Sequence, residues 1–295
     1  MRGRKRFSSR SRTAAAVITA ALLAGCSAGG PAADATRPAA AEPRPKPRPL
    51  WNTSPASVAA VGDSITRAFD ACTVLADCPE VSWATGTDTA VDSLALRLLG
   101  PEKVAGRSWN LARTGARMAE LPGQMALAAE RRPELVTVMM GANDACRDRA
   151  ELMTPVDDFR ASFTAALARL RAGAPKAQVY VSSVPDLKRL WATGRVEPMG
   201  RQVWKLGICA SMLKDAEDLG PAAERRRARV RERVVAYNRV LQEVCAKDSR
   251  CRYDGGAVFG FAFDGGLLSP WDWFHPSRDG QARLAEIAYR QVTRE

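Results

Sequence analysis

The chain has 295 residues, 46% of them hydrophobic. That suits one sizeable α/β domain with extensions and excludes a small scaffold held by staples alone. The formal charge of +12 is unevenly spread, with six basic residues and no acid within residues 1–25 and +6 on the remainder; this excess demands no nucleic-acid partner and is compatible with an anionic surface nearby. Seven cysteines without a Cys-x-x-Cys pair, and a single histidine, argue against a zinc site.

Basic residues from Arg2 to Arg12 precede an apolar run, Ala14 to Ala24, too short to span a bilayer. Together they read as a secretory signal peptide over residues 1–25. The stretch ends Leu23-Ala24-Gly25-Cys26, which resembles the bacterial lipoprotein signal, where the chain is cut before the cysteine and the cysteine is acylated. That resemblance implies lipidation of Cys26 and a membrane anchor of about 0.8 kcal/mol per buried methylene. An ordinary secretion signal cut after Ala28 is the alternative. Either way the chain is expected to be exported, at the outer face of the cytoplasmic membrane as a lipoprotein or secreted. Residues 26–54 are rich in Ala and Pro and run through Pro43-Arg44-Pro45-Lys46-Pro47-Arg48-Pro49. Alternating prolines favour extended polyproline II, so this segment reads as a semi-rigid tether for a folded domain over 55–295.

Val58 to Val61 is a short apolar, partly β-branched run that reads as a buried strand. It leads into Gly62-Asp63-Ser64-Ile65, where Gly62 permits a tight turn and Ser64 is expected in the first turn of a following helix. There its hydroxyl would be exposed for attack and its N–H available to an oxyanion; as a plain helix cap it would do neither. A helix is expected over 88–99. The stretch Ser108-Trp109-Asn110-Leu111-Ala112-Arg113-Thr114-Gly115-Ala116 reads as a short strand that ends in a loop, where Gly115 can turn freely and present its N–H or serve as a plain turn glycine. Residues 117–131 read as an amphipathic helix. The run 135–140 reads as a central parallel strand, ending in Gly141-Ala142-Asn143-Asp144. The C-terminal edge of an open parallel sheet is where ligands bind, and there Asn143 offers an amide N–H; the same residues could equally cap the strand as an Asn-Asp turn.

A helix over 157–172 and a strand over 179–184 follow. Residues 186–222, with Trp191, Trp204 and Met212, read either as a substrate-contacting insertion or as a local core. The 222–246 helix buries Val230, Val234, Tyr237, Leu241 and Val244 at helical spacing. Its arginines, Arg225 to Arg233, form a solvated face partly paired with Glu224 and Glu232, or a contact for anionic headgroups. A last short strand at 251–253 precedes Trp271-Asp272-Trp273-Phe274-His275-Pro276-Ser277 and a closing helix over 278–292. His275 is the only histidine, and an imidazole suits proton transfer near neutral pH. Asp272, three residues earlier, can reach one ring nitrogen on a tight turn and leave the other free, the orienter–base half of a catalytic triad. A lone histidine on a surface turn is the alternative.

These four blocks, in this order, resemble the SGNH hydrolase (GDSL esterase/lipase) superfamily over about residues 56–293. The resemblance implies a single catalytic domain of α/β class, a three-layer α/β/α sandwich with a central parallel sheet (SGNH/flavodoxin-like). It implies Ser64 as nucleophile, His275 as base with Asp272 as its partner, and Ser64, Gly115 and Asn143 as the oxyanion hole, with no cofactor and no metal. Ala68 departs from the glycine of many relatives. Ser82-Trp83, Asn110-Leu111-Ala112 with Gly115-Ala116, and Asn143-Asp144-Ala145-Cys146 look like the phospholipase B-like branch. The six remaining cysteines are similar to the three-disulfide pattern of secreted actinobacterial esterases, which implies Cys72–Cys78, Cys146–Cys209 and Cys245–Cys251. The expected activity is serine ester hydrolysis of a small-molecule or lipid ester, by a monomer whose membrane partner is reached through the lipid anchor and which binds no nucleic acid. The competing function is a non-catalytic cell-surface protein that binds lipid or glycan on the same fold.

Overall fold

The computed structural model describes residues 51–294. The expected signal peptide, Cys26 and the tether up to residue 50 lie outside the described residues. Five strands, β1 (Val58–Gly62), β2 (Ser108–Asn110), β3 (Leu135–Met139), β4 (Gln178–Val181) and β5 (Cys251–Tyr253), form one all-parallel sheet in the order β2-β1-β3-β4-β5. The three inner strands are buried at every position and the two edge strands only partly. This is why the inner strands read as continuous apolar runs rather than alternating ones.

Helices Leu121–Arg131, Val156–Gly173 and Pro221–Cys245, which follow β2, β3 and β4, pack side by side, while Leu94–Leu99 and Arg278–Thr293, which follow β1 and β5, pack against each other. Right-handed crossovers in this strand order put the two groups on opposite faces, so the expected α/β/α sandwich is the one formed. The chain turns back between β1 and its two neighbours, and the crevice above that reversal opens at the C-terminal ends of β2, β1 and β3. Among the described residues no helix is long and apolar enough to cross a membrane.

Three local expectations are corrected. No helix starts at Ser64: residues 63–70 form stacked turns, begun by Arg67 N–H to Asp63 C=O at 3.1 Å and broken by left-handed Ala68 (φ 52°) and Asp70 (φ 56°). The position where many relatives have glycine is thus one that disfavours a Cβ. The 88–99 helix shrinks to Leu94–Leu99, because Asp92 is left-handed (φ 49°) and Ser93 caps a new start, accepting from Leu96 N–H at 3.1 Å. The strand expected over 179–184 ends at Val181.

The insertion after β4 forms three short helices, Leu187–Gly194, Pro198–Trp204 and Ala210–Leu213, with Trp191, Trp204 and Met212 buried. Its aromatics fill a local core. The arginines of Pro221–Cys245 are mostly ties to other elements: Arg231 reaches Asp186 at 2.9 Å and Arg229 reaches Glu151 at 2.8 Å. Arg233 donates to the carbonyl of Thr154 at 2.6 Å, and buried Arg227 lies 4.0 Å over the Trp191 ring while donating to the carbonyls of Asp215 and Asp218. The disulfides are Cys72–Cys78, Cys146–Cys209 and Cys245–Cys251. The second joins the segment after β3 to the insertion, where Ser211 also donates to the Ala145 carbonyl at 2.8 Å.

Candidate active site

β1 delivers Ser64 through a backbone that only glycine tolerates. At Gly62 (φ 151°) a Cβ would sit 2.3 Å from the Met139 carbonyl oxygen on the paired strand. β2 stops short of Gly62, and the buried side chain of Gln124 supplies the acceptor that the Gly62 N–H would otherwise lack while adding a second donor to its C=O. Gln124 accepts from Gly62 N–H at 2.7 Å and donates to Gly62 C=O at 2.9 Å. Beyond this clamp Ser64 is 5% exposed, and its N–H has no partner among the described residues.

The loops after β2 and β3 lean on that of β1 and on each other. Arg113 N–H donates to Gly62 C=O at 3.1 Å and Ala116 N–H to Arg113 C=O at 3.0 Å. Between them Gly115 (φ 79°) carries an N–H with no partner among the described residues. Asn143 lies in the one-turn helix Ala142–Ala145 after β3. Its Nδ2 donates to the Ala116 carbonyl at 3.1 Å, which sets the amide beside the Gly115 turn with one N–H to spare. Asp144 locks the same contact by accepting from Met118 N–H at 2.9 Å.

His275 comes from the far end of the chain. Its Nε2 lies 2.8 Å from Ser64 Oγ and its Nδ1 2.5 Å from Asp272 Oδ2. An ionised carboxylate only accepts, so Nδ1 carries the proton and the Nε2 lone pair faces the serine hydroxyl. Asp272 Oδ1 accepts from the N–H groups of Phe274 and His275, both at 2.9 Å. Burial alone would raise the Asp272 carboxyl, but the hydrogen bond and charge of His275, with these two N–H groups, hold it below the ordinary carboxylate range. The turn is left-handed at Trp273 (φ 51°) and is clasped from outside: Trp204 Nε1 donates to the Asp272 carbonyl at 2.9 Å, and Ser269 N–H to the His275 carbonyl at 2.7 Å. Phe69 and Phe274 flank the imidazole with ring centroids 5.1 and 5.0 Å away.

The structure therefore brings Ser64, His275 and Asp272 into one hydrogen-bonded chain and sets the Gly115 and Asn143 loops at the same sheet edge. Such an arrangement can deprotonate a hydroxyl and offer N–H groups to a developing oxyanion. Sequence reasoning missed several members. Asp70 is buried beside Asp272, with a carboxylate oxygen of each and a ring nitrogen of His275 all within 4.8 Å of one another. Burial first, then the charge of Asp272, pushes the Asp70 carboxyl up to about 6. Nothing local marked it, since its neighbour lies near the other end of the chain. Gln124 and Gln281 did leave a signal: each is an amide on an otherwise apolar helical face, Leu121–Met125–Ala128 and Leu284–Ala285–Ala288, where an unpartnered amide would be costly.

A family model described as GDSL-like lipase/acylhydrolase matches residues 58–288. Solved structures similar to this chain include an extracellular lipase from Streptomyces rimosus, 16% identical, covering 81% of this chain and 100% of that one with a TM-score of 0.45. A phospholipase A1 from Streptomyces albidoflavus NA297 is 18% identical, with coverage of 81% and 100% and a TM-score of 0.45. An alpha/beta hydrolase enzyme from the metagenome of Lake Arreo, Spain, is 16% identical, with coverage of 81% and 94% and a TM-score of 0.48. Among curated proteins no sequence match is found. The family model runs from the first residue of β1 into the closing helix, and the chain belongs to the GDSL-like lipase/acylhydrolase family of the SGNH superfamily, whose members hydrolyse ester bonds.

Proposed function

We propose that the protein is an exported serine esterase that cleaves carboxylic esters through an acyl-enzyme on Ser64. The observation that carries this reading is the unbroken chain Ser64 Oγ–His275 Nε2–Asp272. His275 takes the Ser64 proton as Oγ attacks the ester carbonyl. The N–H groups of Ser64 and Gly115 and the Asn143 amide hold the tetrahedral oxyanion, and Asp272 steadies the imidazolium. His275 then protonates the leaving alcohol, and water repeats the cycle on the acyl-enzyme. The signal-like N-terminus supports export, and Leu23-Ala24-Gly25-Cys26 supports a lipid tether that would hold the domain near the membrane.

The test is covalent capture. A fluorophosphonate should label wild-type protein once, with peptide mass spectrometry placing the adduct on Ser64. A panel of esters varying in acyl length and headgroup should be turned over by the same preparation. A label elsewhere, or binding of esters without turnover, would remove the reading. Asn143→Ala should lower kcat about 100- to 1,000-fold with little change in KM, because that donor meets charge only as it develops. Steady-state kinetics on a chromogenic ester checks this, and a kcat close to wild type would take Asn143 out of the oxyanion hole.

A further inference from the structure

The turn that carries Ser64 contains no helix, so the usual source of stiffness at such a position, a run of i to i−4 hydrogen bonds, is missing beyond its first turn. Two left-handed residues that carry a Cβ, Ala68 and Asp70, weaken it further. Yet Ser64 Oγ must be held to within about half an ångström of the imidazole and of an incoming carbonyl for attack to be productive. Two amide side chains from opposite faces of the sheet meet that need. On one side Gln124, from helix Leu121–Arg131, holds both the N–H and the C=O of Gly62. On the other, Gln281, from helix Arg278–Thr293, donates to the Ile65 carbonyl at 3.0 Å and accepts from Trp83 N–H at 3.0 Å. Gln281 is fully buried, and its two bonds use one donor and one acceptor of the amide on two separate backbone segments.

We propose that Gln281 is a positioning residue for ester hydrolysis, fixing the peptide after Ile65 and so the depth and direction of Ser64 Oγ, with Gln124 as its counterpart before the nucleophile. The inference rests on the esterase reading above. Gln281 touches neither the reacting atoms nor the imidazole; it acts through backbone. It also couples the two ends of the active site. The helix that begins immediately after the His275 turn, capped by Ser277 accepting from Gly280 N–H at 3.2 Å, is the same helix that grips the serine turn. Base and nucleophile are therefore set against each other by one rigid element.

The test compares Gln281→Met with Leu284→Ala, a buried change on the same helix face with no hydrogen bond to the serine turn. Both variants, wild type and Ser64→Ala are measured for thermal midpoint, kcat and KM on one chromogenic ester. Gln281→Met is expected to lose kcat about 10- to 100-fold, with KM nearly unchanged, while Leu284→Ala, though destabilised, keeps kcat near wild type. Equal kcat loss in the two variants, or loss in KM rather than kcat, would overturn the positioning role and leave Gln281 as a fold contact. Should Gln281→Met fail to fold, Gln281→Asn, which keeps the amide one methylene short, takes its place, and a wild-type kcat there overturns the proposal. Activity surviving in Ser64→Ala would instead remove the esterase reading itself, whatever Gln281 does.

Discussion

Ser64→Ala, His275→Ala and the variant carrying both should each lose about 10,000- to 1,000,000-fold in kcat, and all three by nearly the same factor. The reason is geometric. Ser64 Oγ and His275 Nε2 share one hydrogen bond of 2.8 Å, so the hydroxyl without its base is a poor nucleophile and the base without its hydroxyl has no proton to take. The two act as a unit, and their losses cannot multiply. The remaining rate over water, of the order of 1,000-fold, would come from the oxyanion donors and substrate binding. Asp272→Asn should cost less, about 10,000-fold, because the amide would place its N–H toward Nδ1 and favour the wrong tautomer. Purified variants assayed on an activated short-chain ester, with protein folding checked by circular dichroism, decide the matter. A double variant far slower than either single would mean that serine and histidine work independently, and the triad would be misassigned.

Asp63→Asn should change stability in a strongly pH-dependent way. Asp63 is 1% exposed; its Oδ1 accepts from Ile65 N–H at 3.0 Å, and its Oδ2 has no partner among the described residues. Burial pushes this carboxyl up to about 7, with the charge of Asp144 adding to the rise and the Ile65 bond and His275 opposing it. A carboxyl that binds its proton more tightly folded than unfolded stabilises the fold fully below about 4, and that contribution is lost as pH rises through about 7. Moving from 3.8 to about 7 corresponds to about 4 kcal/mol. The amide of the variant cannot ionise and keeps the acceptor for Ile65. Its new N–H points where Oδ2 finds no partner, a constant cost of about 1–3 kcal/mol at every pH. The difference in urea-unfolding free energy between variant and wild type should therefore swing by about 4 kcal/mol in favour of the variant between about pH 4 and about pH 8.5. Unfolding curves across that range would show it, and a difference that stays flat with pH would mean that Asp63 is ionised throughout.

Asp63 illustrates how far the site was legible. Its identity could be read from the Gly62-Asp63-Ser64 block, but its burial and its proximity to Asp144 could not. The four chemical blocks were legible because each packs its chemistry into a few consecutive residues after a strand, and strands buried on both faces announce themselves as apolar runs. The helix expected at Ser64 was not formed because Ala68 and Asp70 adopt left-handed backbone, which side-chain identity does not reveal in residues other than glycine. Arg225 to Arg233 looked like a solvated charge run because the acids and carbonyls that receive them, at Glu151, Asp186, Thr154 and Asp215, lie elsewhere in the chain.

What the sequence by itself determined was the parallel α/β class, the order of the strands along the chain and the four blocks that resemble the family's motifs, since periodicity, strand-end glycines and residue type are properties of short stretches. What only the tertiary structure decided was how those residues are held: the 2.8 Å approach of residues 64 and 275, the amides of Gln124 and Gln281 on the serine turn, the Trp204 clasp on Asp272 and the second buried carboxylate at Asp70. Each of these joins positions far apart in the chain through a hydrogen bond or a shared desolvated volume, and such contacts exist only once the sheet has brought its strand ends together.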